Sequence, residues 1–296
     1  MRSLLFVPGD SEKKQLKAAG SGADALILDL EDSVALSAKE RARRMTRDYL
    51  DGAGTDGQKI IVRINALDTP FWQDDIAAVA GGRPHALMIP KTLSGLCVAK
   101  VAAELDRLET EQGLTPGAIG LCCVATETAT SLFHMQSYAG ASARLIALTW
   151  GAEDLAANLG ARDNKDDEGV YTGPYQLART LTLLAAVHAD VSPIDTISKE
   201  FRDEAALVRE TRAAARDGFT GKMAIHPAQV GPINEVFTPG ADDLAHAHAV
   251  LAAFDEAGDV GVVALDGVML DRPHLRQAQK LIERATQRPK QGGNSK

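Results

Sequence analysis

The sequence predicts an α/β chain folded as a (β/α)8 barrel, the TIM-barrel architecture, with a C-terminal helical extension. Three observations carry this. Eight short β-branched apolar runs alternate with longer segments patterned at helical spacing. Most runs are continuously apolar, as parallel strands are when helices cover their outer face. The eight units fill the roughly 250 residues that such a barrel takes, and no GxGxxG follows any strand to favour an open doubly wound sheet.

The runs cover Ser3–Pro8, Asp24–Leu30, Lys59–Asn65, His85–Pro90, Ile119–Thr126, Arg144–Trp150, Val191–Ile197 and Lys222–His226. Helical patterns over Ala38–Leu50, Leu93–Glu111, Gly173–Ala189 and Lys199–Asp217 are long enough for βα crossovers. The barrel is expected over residues 1–240. An extension over 241–296 is expected to pack on the barrel or on a neighbouring subunit. It holds an amphipathic helix over Ala241–Ala257, the run VGVVALDGVMLD, and a last helix over Pro273–Arg288 with proline at its start. The terminal RPKQGGNSK reads as frayed and polar.

The balance of 32 Lys and Arg against 40 Asp and Glu leaves a net charge of −8, which disfavours nucleic acid and anionic membranes as partners. No apolar run approaches the roughly 20 residues of a membrane helix. MRSLLFVPGD is too short and lacks the cleavage pattern of a signal peptide, so a cytoplasmic location is expected. Cys97, Cys122 and Cys123 show neither CxxC nor metal-finger spacing, and the vicinal pair lies in an apolar run that reads as reduced core.

Barrel active sites form at the C-terminal ends of the strands. Here those ends read VPGD, LDLED, VRIN, IPK, ATET, GAED, DTIS and IHPAQ. They place Asp29, Glu31, Asp32, Arg63, Asn65, Lys91, Glu127, Glu153, Asp154, Asp195, His226 and Gln229 on one rim. One polar strand end is what any strand shows on leaving a core; convergence of so many is a site. Glu127 and Asp154 are one βα unit apart and so belong on adjacent strands roughly 5 Å apart. Two hard carboxylates at that spacing suit Mg²⁺, which keeps positions for substrate and water. The Arg63 fork could hold a substrate carboxylate or a thioester oxygen. Asp29, Glu31 and Asp32 alternate in direction; they could bind metal-coordinated waters or cap the following helix.

Other rim residues carry two readings each. Lys91 could form a Schiff base if its pKa were depressed, but amid these carboxylates it reads as a protonated ion-pair partner. Lys222 begins a strand and is expected at the opposite face. His226 is a general base or a structural hydrogen-bonding group, and Trp150 and Tyr171 could wall the pocket.

These motifs resemble a known family: the citrate lyase β-subunit-like enzymes, with malyl-CoA and citramalyl-CoA lyases, of the HpcH/HpaI aldolase/citrate lyase superfamily. RSLLFVPGD, ADALILDLEDSV, VRIN, MIPK, ATET, GAEDL, DTI, GFTGKMAIHPAQ, FTP and DGVMLDRP match almost end to end. The resemblance implies the same barrel, Mg²⁺ on Glu127 and Asp154, and contact of Arg63, and of Glu127 through the metal site, with substrate oxygens. It implies that the DGVMLD segment reaches over a neighbouring subunit's site, that Asp271 acts in proton transfer, and that the protein is a homo-oligomer, commonly a trimer. By position alone Asp271 would read as a helix cap before Pro273, with Asp266 as a nearby alternative. Two features depart from the family: His188 stands where a glycine is usual, and the loop Asp163–Tyr171 is strongly acidic.

The implied function is cleavage of a 3-hydroxyacyl-CoA, of malyl-CoA or citramalyl-CoA type, into an acyl-CoA and an oxoacid through an enolate. Alternatives are a citrate lyase β subunit working on an acyl-carrier-protein thioester, a malyl-CoA thioesterase, and a Schiff-base aldolase using Lys91. A non-catalytic scaffold fits the carboxylate–arginine set least well.

Overall fold

The computed structural model describes residues 1–52 and 58–286; Arg288 and the RPKQGGNSK tail lie outside the described residues. The strands close into a parallel barrel in sequence order: β1 (Ser3–Pro8), β2 (Ala25–Asp29), β3 (Lys59–Arg63), β4 (Ala86–Ile89), β5 (Gly120–Val124), β6 (Leu145–Thr149), β7 (Ser192–Asp195) and β8 (Gly221–Ala224). Pairing of Ser3, Leu4 and Leu5 with Lys222, Met223 and Ala224 joins the last strand to the first. Each predicted strand is present, trimmed mainly at the end where rim residues leave the ladder. Around the barrel lie α1 (Glu12–Ala19), α2 (Lys39–Gly52), α3 (Trp72–Val79), α4 (Gly95–Gln112), α5 (Ala129–Leu132) and α6 (Ala152–Leu159). They are followed by α7 (Gly173–His188), α8 (Glu204–Asp217) and α9 (Val230–Val236).

The continuously apolar strands bury both faces. Leu4, Ile27, Ile61, Met88, Cys122, Val124, Ile194 and Met223 pack together as one cluster, the barrel interior. Their neighbours Leu5, Leu26, Leu28, Val62, Leu87 and Cys123 pack instead with Ala42, Ile76, Val98 and Leu207 from the helices. The vicinal cysteines therefore split, one facing inward and one outward, and both are free thiols in the core. Burial pushes both thiols up, Cys122 to about 12, which keeps them protonated and unreactive. Between β5 and β6 the register slips, so that Leu121 faces Leu145 but Cys122 faces Ala147. The extra residue, Ile146, packs with Ala147 against the inner cluster. This bulge resets the parity of β6 just before the strand delivers the GAED turn.

Parity also corrects two expectations. Ile194 points into the barrel, so Asp195 points out into the sheet–helix layer rather than to the mouth. There it takes the Lys222 ammonium at 2.8 Å and the Trp150 indole N–H at 2.8 Å, with Arg179 at 3.5 Å. Lys222 is 1% exposed, so it is a buried counter-ion in this layer and not a residue of the opposite rim. Trp150 is fully buried beside it with Tyr175 and Phe219, and does not wall the cleft. His188 is simply the last residue of α7; the left-handed turn position is taken by Asp190, at φ 56°.

The chain divides into two compact units, Met1–Phe237 and Thr238–Lys296. The second contains α10 (Ala241–Ala257), an antiparallel hairpin of β9 (Val262–Leu265) and β10 (Val268–Asp271), and α11 (Arg272–Thr286). Asp266 and Gly267 both have positive φ, at 50° and 79°, giving the two-residue turn that Asp-Gly between alternating apolar runs favours. Val250, Phe254, Val263, Leu270 and Ala278 form its own core. No described helix is long and apolar enough to cross a membrane.

The Asp195–Lys222 pair makes a testable stability claim. Burial opposes the Asp195 charge, but Lys222 and Arg179 hold its carboxyl below the usual range. Its contribution is therefore present above the unfolded-state carboxylate pKa of about 3.9 and lost as pH falls through the lower folded value. Asp195→Ala leaves the buried ammonium only Glu210, at 3.9 Å, and should cost about 3–5 kcal/mol in urea unfolding at neutral pH. Asp195→Ala/Lys222→Met together should recover most of that; a double variant as unstable as the single one would refute the pairing argument.

Candidate active site

All strands run parallel, so their C-terminal ends open on one mouth, and there the charged residues meet. Asp29, the last residue of β2, accepts a two-pronged hydrogen bond from Arg63, the last residue of β3. Nε lies 2.7 Å from Oδ1 and Nη2 lies 2.8 Å from Oδ2. The backbone amides of Glu31 and Ser33 donate to the same carboxylate at 2.9 and 3.1 Å. Burial opposes the Asp29 charge, yet the Arg63 charge and these donors hold its carboxyl low. Arg63 is held up in turn, mainly by Asp29 and then Glu31 and Glu127 against its own burial, so it is a permanent cation. Its Cζ lies 4.8 Å from the Phe6 ring centroid, which fixes the plane of the fork. The remaining Nη1 lies 3.0 Å from Oε2 of Glu31, without hydrogen-bonding geometry.

The β2 loop is tied down by Lys39, which the sequence reading did not single out. Its buried ammonium donates to the carbonyls of Leu30 and Glu31, both at 2.7 Å. The signal was available, since a lysine at the first turn of α2 has few carbonyls to reach except those of the LDLED turn.

Glu127 lies three residues beyond β5 and is 3% exposed. Its Oε2 accepts the backbone N–H of Lys91. Burial first, and then the charge of Asp154, push its carboxyl well above the usual range. Asp154 stands in the first turn of α6, with its side chain 34% exposed. Gly151 lies against Glu127: a Cβ there would come within 2.6 Å of Glu127 Cγ and 3.0 Å of Oε1. The glycine of GAED thus makes room for the carboxylate. Lys91 completes the set, with Nζ 2.6 Å from Oε1 of Glu31, 3.0 Å from Oδ2 of Asp32 and 3.4 Å from Oδ1 of Asp154. Burial opposes the Lys91 charge, but Glu31, Asp32 and Asp154 raise its pKa, so the amine is an ammonium and not a Schiff-base nucleophile.

Arg63, Asp29, Glu31, Asp32, Lys91, Glu127 and Asp154 are thus one connected constellation. Other rim residues are engaged outside this constellation. Asn65 donates to the Leu30 carbonyl and to Asp75, at 2.9 and 2.7 Å. Glu153 accepts from Asn164 at 2.8 Å and pairs with Lys199 at 3.0 Å. Gln229 clips the β7 and β8 loops, accepting from the Ile225 amide and donating to the Ser198 carbonyl, both at 2.8 Å. His226 accepts from the Ala228 amide through Nδ1 at 3.2 Å, stacks on Phe201 at 4.8 Å, and lines the cleft. In the second unit Asp271 directly precedes α11, and its Oδ1 lies 2.6 Å from His274 Nδ1.

Beside the constellation opens a cleft of about 660 Å³. Phe6, Pro8, Ile197 and Ile225 give it an apolar wall, while Lys14, Lys17, Asp29 and Arg63 bring charge to its edge. That volume and lining suit a small organic ligand. The donor chemistry beside it suits a hard divalent cation. Glu127 is a buried carboxylate whose ionisation needs positive charge, with a second carboxylate close enough to repel it. Among the described residues no three His, Cys, Asp or Glu side chains gather into a metal-holding group; Mg²⁺ is a cation commonly held by one or two protein carboxylates, with water and substrate in its remaining positions.

A family model described as HpcH/HpaI aldolase/citrate lyase matches residues 2–227. The chain belongs to that family. Citrate lyase subunit beta of Escherichia coli K12 is 35% identical over 96% of this chain and 93% of its own length. A (3S)-malyl-CoA thioesterase of Cereibacter sphaeroides is also 35% identical, over 96% of this chain and 94% of its own. The solved structure of the protein CitE from Mycobacterium tuberculosis, in complex with magnesium, acetoacetate and coenzyme A, has a TM-score of 0.78 and 32% identity. It covers 96% of this chain and 98% of that one. The family is one of enzymes that includes carbon–carbon lyases, and several of its solved members are complexes with magnesium.

The close approach of Gly151 and Glu127 gives a direct test. Gly151→Ala should destabilise the barrel by about 1–3 kcal/mol, the usual range for overpacking a filled site, measured by denaturant unfolding. Unchanged stability would mean that the carboxylate has room to withdraw.

Proposed function

We propose that this protein is a Mg²⁺-dependent lyase that cleaves a 3-hydroxyacyl-CoA of malyl-CoA or citramalyl-CoA type into an acyl-CoA and an oxoacid. The observation that carries this reading is the buried Glu127 carboxylate, set beside Asp154 and the fixed Arg63 cation at the mouth of a barrel of this family. Glu127 and Asp154 would hold the metal. When bound, Mg²⁺ supplies Lewis-acid stabilisation for oxygens that become negative as the carbon–carbon bond breaks. Arg63, with its fork anchored on Asp29, presents its remaining edge to the substrate's carboxylate or carbonyl oxygens and orients them. Loss of the hydroxyl proton lets the bond break to an oxoacid and the enolate of the acyl thioester, whose carbon then takes a proton. Asp271 is the proposed proton carrier. The family resemblance supports its delivery to the mouth of a neighbouring subunit by the C-terminal extension of a homo-oligomer, commonly a trimer.

The cleft supports a thioester with a long handle. Its apolar wall accepts an extended chain, and Lys14 and Lys17 offer ammonium groups to phosphates. A CoA thioester brings such phosphates, and so does the phosphopantetheine arm of an acyl carrier protein. Hydrolysis of malyl-CoA is the second reading, favoured by the name of the Cereibacter sphaeroides relative.

Malyl-, methylmalyl- and citramalyl-CoA, assayed with Mg²⁺ or EDTA while oxoacid and free CoA are followed separately, decide among these. Oxoacid released only with Mg²⁺ is the expected result; free CoA without oxoacid would make the enzyme a thioesterase. Glu127→Ala and Asp154→Ala should each lower metal-dependent turnover at least about a hundredfold while the circular dichroism of the barrel persists. Wild-type turnover in either would sink the metal assignment.

Asp271→Asn should leave Mg²⁺ binding intact and reduce kcat by about 10²–10⁴-fold, the range for a general acid–base group. An unchanged kcat would remove Asp271 from the reaction.

A further inference from the structure

Lys91 touches both carboxylates proposed as metal ligands, and does so with different parts of itself. Its backbone is left-handed, φ 49°, an uncommon conformation for a residue with a side chain. That turn aims the amide N–H at Oε2 of Glu127 and sends the side chain toward the β2 loop and α6. The ammonium then has three carboxylate partners within 3.4 Å: Glu31, Asp32 and Asp154. The ammonium hydrogen-bonds Glu31 and Asp32 and pairs ionically with Asp154, offsetting part of their combined charge, and its side chain remains 30% exposed, so it has somewhere to go. A backbone held in a strained region persists where surrounding contacts over-determine it, commonly at a functional site.

A cation placed between Glu127 and Asp154 would compete with this ammonium for Asp154 and be repelled by it. We propose that Lys91 is the counter-ion that Mg²⁺ displaces from Asp154: its amide keeps Glu127 aimed while its ammonium holds the other carboxylates together and sets the metal affinity. This rests on the assignment of Glu127 and Asp154 as the Mg²⁺ ligands. The two parts of Lys91 are separable, because any residue but proline supplies the amide. Methionine keeps the stem and the amide and removes only the charge.

Titration calorimetry with Mg²⁺ on the full-length wild type, Lys91→Met, Lys91→Arg and Glu127→Gln tests this. Lys91→Met should bind Mg²⁺ about tenfold tighter or more, since a like charge within a few ångströms of the ion is gone. It should also melt earlier than the wild type without metal and gain more Tm on adding Mg²⁺. Lys91→Arg should stay near the wild type, and Glu127→Gln should bind poorly. Unchanged or weaker Mg²⁺ binding by Lys91→Met, with Glu127→Gln still impaired, overturns the counter-ion role alone. Wild-type affinity in Glu127→Gln overturns the metal assignment and the counter-ion role with it. A readout in the wild type covers the case of a Lys91→Met chain that does not fold. Amine labelling at Lys91, read by mass spectrometry, should rise several-fold when Mg²⁺ is added, and an unchanged extent overturns the proposal.

Discussion

Glu127 sets the problem that the rest of the mouth solves. Its carboxylate is buried, Asp154 adds a like charge, and burial and repulsion together push it toward the neutral form. An ionised carboxylate in such a place needs positive charge nearby. The barrel supplies that charge from two directions. Arg63 comes from β3, pinned by Asp29 and faced by the Phe6 ring, so its position is fixed before any ligand arrives. Lys91 comes from the end of β4 and reaches across to α6. The carboxylates outnumber these two cations, and the imbalance favours a further hard cation.

The outer layer of the barrel serves the same end at a distance. Asp154 owes its position to the first turn of α6, and the residue before it, Glu153, is held by Asn164 and Lys199. The acidic loop carrying Asn164 is fixed by Lys165, which pairs with Glu210 on α8 and lies 4.6 Å from the Tyr171 ring centroid. Tyr171 meets the buried Trp150 edge-on, and Trp150 donates to Asp195, which holds Lys222. A chain of polar and aromatic contacts, buried at its β7–β8 end and partly exposed beyond it, therefore runs from β8 through β7 to the turn that presents Asp154. Within the acidic loop Asp163 and Asp166 accept backbone amides of the loop's own turns, and Asn164 ties the loop to Glu153 on α6.

Much of this was legible in the sequence, because parallel strands covered on both faces read as unbroken apolar runs, and the residues after each run fall on one rim whatever the details. Glu127, Asp154, Arg63 and the Asp29–Asp32 cluster were found that way. Side-chain direction was harder. Asp195 ends its strand as Asp29 does, but the alternation in β7 turns it outward; counting from the inward Ile194 gives the answer only once the strand's true end is known. The bulge at Ile146 has no local sequence mark, yet it decides which residues of β6 face the interior. The left-handed Lys91 was equally silent, since its conformation depends on carboxylates brought near by other parts of the barrel. The hairpin in the C-terminal unit did leave a sign, the Asp-Gly pair between alternating runs.

On the proposed reading, the layout of the mouth divides the work between two halves of the substrate. The cleft lies along β1, α1 and the segment after β8, whereas Glu127 follows β5 and Asp154 stands at the start of α6. Arg63 belongs to both, lining the cleft while standing within electrostatic reach of Glu127. A thioester could thus be gripped along its unreactive handle in the cleft, with its reacting oxygens delivered past Arg63 to the metal side. Binding energy from that remote handle can then be used to hold the reacting carbons in line, where it raises kcat rather than only lowering KM.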